Sequence, residues 1–154
     1  LHSFPTRRSS DLHIAQVPVI LNPLKNLPFG FNDIGARLDN AALLHRAGVR
    51  IAFSPGDIYN SRKIRQMAGN AVAHGLPWEA ALAAVTATPA EIFGMGATRG
   101  RIAVGQVADL VLWNADPLDV IATAQQVWIA GRAIEMSSRQ TELRDRYFKR
   151  STEK

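Results

Sequence analysis

Two short apolar runs, Val17–Leu21 and Val49–Phe53, do most to limit what this chain can fold into. Each is rich in β-branched or aliphatic residues. Each also ends at a break: Asn22-Pro23 after the first and Ser54-Pro55-Gly56-Asp57 after the second. Runs this short, bounded by Pro and Gly, read as buried strands rather than helices. The segments that follow them carry apolar residues three and four apart, which is the helical period. Strands alternating with helices argue for βα units on a parallel sheet.

The helical segments can be placed from their caps. Asn22–Asn32, with Pro23, Pro28 and Gly30, reads as loop. Asp33 then caps a helix through Ala47, with Ile34, Leu38, Ala41, Ala42 and His45 on one face and Gly48 closing it. Asn60 or Ser61 caps the next helix, which runs to about His74 before Gly75. Its apolar face is Ile64, Met67, Ala68, Ala71 and Val72. Pro77 suits a first turn, so Trp78–Ala87 reads as one helix, and Pro89 starts a short helical turn ending near Gly94.

The texture changes at Gly100. Short strands are expected at Arg101–Val104, Ala108–Trp113, Val127–Ala130 and Arg132–Met136. Turns fall at Gly105-Gln106 and Asp116-Pro117, with a tight turn or bulge at Gly131. Ser137–Lys154 carries Leu143, Tyr147 and Phe148 among charges and reads as an amphipathic or partly frayed terminal helix. The expected division is therefore 1–12, 13–99, 100–136 and 137–154.

Composition narrows the class. At 154 residues, 47% hydrophobic and 20% charged, the chain can bury a core and is not a disordered polymer. With no cysteine, disulfides and thiolate metal sites are excluded. No apolar run approaches the roughly 20 residues of a membrane-spanning helix. The net charge of +5 belongs to the ends, because Ser137–Lys154 holds six Lys or Arg against three acids and the body is nearly neutral. That placement weakens a nucleic-acid reading.

Leu1–Leu12 (LHSFPTRRSSDL) lacks the apolar core of a signal peptide. It resembles one reading frame of a common sequencing-adapter oligonucleotide. The expectation is a translated adapter fused to a truncated gene. The other reading is a disordered basic arm.

Several motifs recur together in order. Ala47–Phe53 leads into Gly56-Asp57, and Ala68–Pro77 leads into Glu79–Leu82. Thr86-Ala87-Thr88-Pro89-Ala90 is followed by Gly100-Arg101-Ile102, Gly105, Ala108-Asp109-Leu110-Val111 and Asp116-Pro117-Leu118. This series, over about His13–Met136, resembles the C-terminal part of the amidohydrolase superfamily, nearest its imidazolonepropionase-like branch. The resemblance implies an α/β fold: the last two strands of a (β/α)8 TIM-type barrel plus part of a small β-sandwich. It also implies hydrolysis of carbon–nitrogen bonds, in non-peptide or cyclic amides, by a water activated on one or two divalent ions, zinc first.

In such a barrel, catalytic groups sit at the C-terminal ends of strands. The resemblance therefore makes Asp57 the catalytic residue and a metal ligand, although the local Pro55-Gly56-Asp57 departs from the family's Ser/Thr-Asp. Read from the residues alone, Asp57 is a turn residue. Asn60, Arg62 and Arg65 can line a substrate pocket, or cap the helix and stay solvated. His2, His13, His45 and His74 show no His-x-His or His-x3-His spacing, so the other ligands are expected outside this chain and no metal in the fragment alone. Asp109 is expected to make a turn or backbone hydrogen bond. Trp78, Trp113 and Trp128 are expected to pack cores.

The expected partner is a small-molecule substrate, with no nucleic acid and no membrane, and a homo-oligomer stays open. The compartment is undetermined. Two other readings compete: a metal-free scaffold of the same fold, and a basic nucleic-acid-binding module acting through Ser137–Lys154. Two strands of a barrel leave sheet edges bare. The isolated chain is therefore expected to be poorly soluble or partly unfolded, and inactive.

Overall fold

The computed structural model describes residues 9–28, 30–56 and 58–152. Its elements are α1 (Ser9–Ile14), β1 (Val19–Leu21), α2 (Asn40–Arg46), β2 (Ile51–Phe53), α3 (Ile64–Ala73), α4 (Trp78–Ala83) and α5 (Ala87–Ile92). There follow β3 (Leu110–Trp113), β4 (Ala124–Ile129), β5 (Arg132–Ile134) and α6 (Arg139–Thr152). Short 3-10 turns occupy Pro23–Lys25, Phe31–Asp33 and Ile58–Lys63.

Both apolar runs form strands, and they pair in parallel, Val19 with Ile51 and Leu21 with Phe53. All three residues of β2 are buried. The helices cover the pair with Ala41, Ala42, Leu44, Ala68, Ala71, Leu76, Ala81 and Ala84. Small alanines let α4 approach closely enough for the Phe53 N–H to donate to the Ala84 carbonyl at 3.0 Å.

Gly48 and Gly75 end α2 and α3 with φ of +76° and +94°, a conformation that suits glycine. After each, the chain folds back: Val49 N–H donates to Leu44 O and Leu76 N–H to Ala71 O, both at 3.0 Å. The apolar residue after each glycine is thereby driven into the core.

Four expectations are corrected. The helix expected from Asp33 begins only at Asn40, since Phe31–Asp33 forms a 3-10 turn and Asp39 sits at the N-cap. Ile34 is accordingly 66% exposed and His45 is also exposed, while Leu44 takes the core position. Lys63, not Asn60 or Ser61, precedes α3, because a 3-10 turn fills 58–63. The helix expected over Trp78–Ala87 breaks at Ala84–Thr86, where Thr86 takes a non-helical φ and ψ of −127° and −83°. The strand expected at Arg101–Val104 is irregular: Ile102 and Val104 are exposed, and no strand among the described residues pairs with it.

The other β predictions hold in substance. β3, β4 and β5 make one antiparallel sheet in that order. Ala130 and Gly131 both take positive φ, so β4 and β5 meet in a tight two-residue turn. An irregularity falls instead between Leu112 and Trp113. Ser9–Leu12 lies in α1, and the tail forms α6.

The helical and sheet regions are joined closely. A Cβ on Gly69 in α3 would lie 2.4 Å from the Leu118 carbonyl oxygen. A Cβ on Gly100 would lie 2.8 Å from the Ala90 Cβ and 3.0 Å from the Ala87 Cα. The Thr86–Ala90 motif and Gly100 are thus two halves of one packed contact.

Candidate active-site edge

Parallel pairing puts the C-terminal ends of β1 and β2 side by side. The Ser54 N–H donates to Leu21 O at 2.9 Å, continuing the ladder past β2. Asn22, just after β1, donates from Nδ2 to Pro55 O at 3.0 Å. Gly56 takes φ +80°, and its N–H donates to Ser54 Oγ at 3.3 Å. The turn that leads to residue 57 is therefore tied to both strand ends.

The Asn22 Oδ1 is buried without a hydrogen-bond partner among the described residues. An unpaired buried carbonyl-type oxygen costs about 1–3 kcal/mol. Sequence reasoning passed over Asn22, although Asn-Pro directly after a buried strand was its signal.

Asp57 itself lies outside the described residues. The side chain of Asn60 also lies outside them, and its backbone belongs to the 3-10 turn Ile58–Lys63. Arg62 is on the same turn and exposed. Arg65 is a correction. Its guanidinium donates to the carbonyls of Pro117 at 2.9 Å, Asp119 at 3.3 Å and Ala122 at 3.2 Å, and it stacks 4.2 Å from the Trp113 ring centre. It staples α3 to the segment after β3 and is committed to structure rather than to a pocket.

The remaining polar residues have structural partners. Asp109 accepts from the Ala130 N–H at 2.8 Å and pairs with Arg99, so it fixes the β4–β5 turn as the sequence suggested. Asp116 accepts from Trp78 Nε1 at 2.9 Å and from the Leu118 N–H at 2.8 Å. Trp78 is therefore a partly exposed strut, not the core residue expected from sequence. His13 Nδ1 donates to Gly48 O at 2.9 Å, His74 caps the end of α3, and His2 is outside the described residues. Among the described residues, no three His, Asp or Glu side chains gather as a metal-ligand set.

Arg37 and Asp39 make a two-pronged pair at 2.8 and 2.7 Å. The hydrogen bonds from Arg37 hold the Asp39 carboxyl below the usual carboxylate range. A cleft of about 560 Å³ lies between α3, Trp78 and Asp116–Val120. Its lining includes Leu24 from the segment after β1, and among the described residues none comes from the turn after β2.

The chain can now be set beside known proteins. A model of the amidohydrolase family matches residues 42–134, from α2 to the end of β5. Amidohydrolase tasK of Hapsidospora irregularis is 43% identical over 83 residues, covering 54% of this chain and 8% of that protein. Imidazolonepropionase of Chromobacterium violaceum is 54% identical over 43 residues, covering 28% of this chain and 10% of that protein. The crystal structure of an amidohydrolase from Thermotoga maritima MSB8 superposes with a TM-score of 0.78 at 26% identity, over 86% of this chain and 35% of that one. The chain thus spans about a tenth of these curated relatives and about a third of the solved structure. A match that runs from the second helix to the last strand, over more than half the residues, leaves one conclusion: the chain belongs to the amidohydrolase family.

Proposed function

We propose that this chain is the C-terminal part of a longer hydrolase of non-peptide or cyclic carbon–nitrogen bonds. In this reading β1 and β2 are the last two strands of a (β/α)8 barrel, and β3–β5 are part of a small β-sandwich. The observation that carries it is the parallel pair whose C-terminal ends converge on the Ser54–Gly56 turn, within a chain that matches the amidohydrolase family. Barrel enzymes place their chemistry at that edge.

Asp57, next in sequence after that turn, is the group we assign to accept the proton of the attacking water. Asn60 and Arg62 follow it and would contact the substrate. The family is typically metal-dependent. The described residues do not supply a donor set for an ion, so the imidazole ligands of one or two divalent ions, zinc first, would come from a preceding part of the polypeptide.

The intact open reading frame tests this directly. It should encode a His-x-His pair and two later histidines upstream, and the purified product should carry divalent metal and hydrolyse cyclic amides or dipeptide-like amides. Asp57→Asn should lower kcat by about 10²–10⁴-fold with metal content measured alongside. An upstream frame without that histidine cluster would favour a metal-free scaffold instead.

A further inference from the structure

Asn22 is the first residue after β1, and its neighbours set its conformation. Pro23, fully buried, restricts the residue before it to extended backbone, and Asn22 takes φ −119° and ψ 91°. From there Nδ2 donates to Pro55 O at 3.0 Å, across to the turn after β2. A carbonyl oxygen only accepts, so the side-chain amide is held with Nδ2 toward Pro55. Its Oδ1 is left buried and without a partner among the described residues.

Stability does not account for this arrangement. Burying an unpaired oxygen costs at least as much as one neutral hydrogen bond returns. Asn26 makes the contrast. It donates to Arg37 O, is 8% exposed, and has no buried side-chain atom left unpaired among the described residues. Asn22-Pro23 also meets the chain beyond the turn, because Asn70 of α3 donates to Pro23 O at 3.4 Å. The polypeptide leaving β2 is thus tied to the end of β1 at Pro55 and tied to it again at Asn70. In sequence, the acid assigned above as proton acceptor stands between those two ties, two residues after Pro55.

We propose that Asn22 is a positioning residue for the hydrolysis. It fixes the Ser54–Gly56 turn against the end of β1, so that the proton acceptor that follows in sequence meets the attacking water in one geometry. A polar group held against stability is expected where geometry decides the rate. Asn22 acts through the turn and not by touching substrate, since its Oδ1 is covered and its Nδ2 is engaged. This inference rests on the hydrolase reading above and adds a residue to it.

The test uses the intact enzyme, with kcat, KM, metal content and Tm measured together on a cyclic or dipeptide-like amide. Asn22→Ala removes both the tie and the unpaired oxygen. It should lower kcat about 10-fold or more, keep KM within about 3-fold and metal content unchanged, and leave Tm unchanged or raised. Asn22→Ser, whose hydroxyl stops one bond short of the Nδ2 position, should show the same split if Asn22→Ala does not fold. Asn26→Ala is the control: it removes a hydrogen bond of the same kind that is not tied to the turn, and should lower Tm while keeping kcat within about 2-fold. An unchanged kcat in the Asn22 variants overturns the proposal. So does a fall in kcat that comes with the Tm loss of Asn26→Ala, a rise in KM alone, or a loss of metal. If the wild-type enzyme hydrolyses no such amide, the hydrolase reading fails first and takes this inference with it.

Discussion

The two sheets of this molecule are built on opposite terms. β1 and β2 are short, parallel and closed in by helices, with Ile51, Ala52 and Phe53 all under 5% exposed. β3–β5 is longer and antiparallel, and it is open: β5 is exposed throughout, and Leu112 and Ile129 are each more than half exposed. The first region draws its stability from buried apolar area and close packing. The second is held by its own ladder and by a joint to the helices made of Arg65, Trp78–Asp116, and the close approaches at Gly69 and Gly100. Hydrophobic burial is non-directional, whereas this joint depends on geometry at a few atoms.

The comparison is broken most forcefully in the core. Leu44→Ala should cost about 2–5 kcal/mol, measured by denaturant unfolding, because Leu44 is 1% exposed and belongs to the core cluster that includes Ile51 and Ala68. Val111→Ala on the open sheet should cost under about 0.5 kcal/mol in the same assay. If the two losses match, the sheet face is covered in the protein as it exists, and the contrast falls.

Next comes the joint. Gly100→Ala places a methyl group against Ala87 and Ala90 at φ +94° and should cost about 1–3 kcal/mol. A neutral result would mean that the contact between the Thr86–Ala90 motif and the sheet region yields freely. Arg65→Met should cost about 1–2 kcal/mol through three lost carbonyl hydrogen bonds. Within that loss, a double-mutant cycle with Trp113→Leu should find a coupling of about 0.5–1 kcal/mol, as expected for a guanidinium on a partly exposed ring.

The smallest effect is on pH. Asp39 has its pKa lowered by Arg37, so its ionised form is favoured on folding. The stability it adds is present above the unfolded-state value of about 4 and is lost as pH falls through the lower folded value. Asp39→Asn should lose that small contribution at neutral pH and converge with the wild type as pH falls through the acid window. A loss of equal size at pH 7 and pH 3 would contradict the assignment.

Much of the helical half was legible because its signals are local. The two apolar runs, Gly48 and Gly75 specify strands and helix ends within a few residues of themselves. The misreadings came where local signals pointed to more than one structure. Asp33 looks like a helix cap, yet it closes a 3-10 turn while the helix waits for Asn40. Arg101–Val104 has strand composition but pairs with no strand among the described residues. At the candidate site, Gly56-Asp57 was legible as a turn after a strand, while the bracing of that turn by Asn22 was not.

Sequence alone determined the order of elements, the end of each βα unit and the family to which the chain belongs, because periodicity, turn residues and ordered motifs are written along the chain. Only the tertiary structure decided that Arg65 is a staple, that Trp78 is a strut on Asp116, and that Gly100 lies against Ala87 and Ala90. Arg65 and Trp113 stand far apart in sequence, and no local pattern announces a pairing made by folding two regions onto each other.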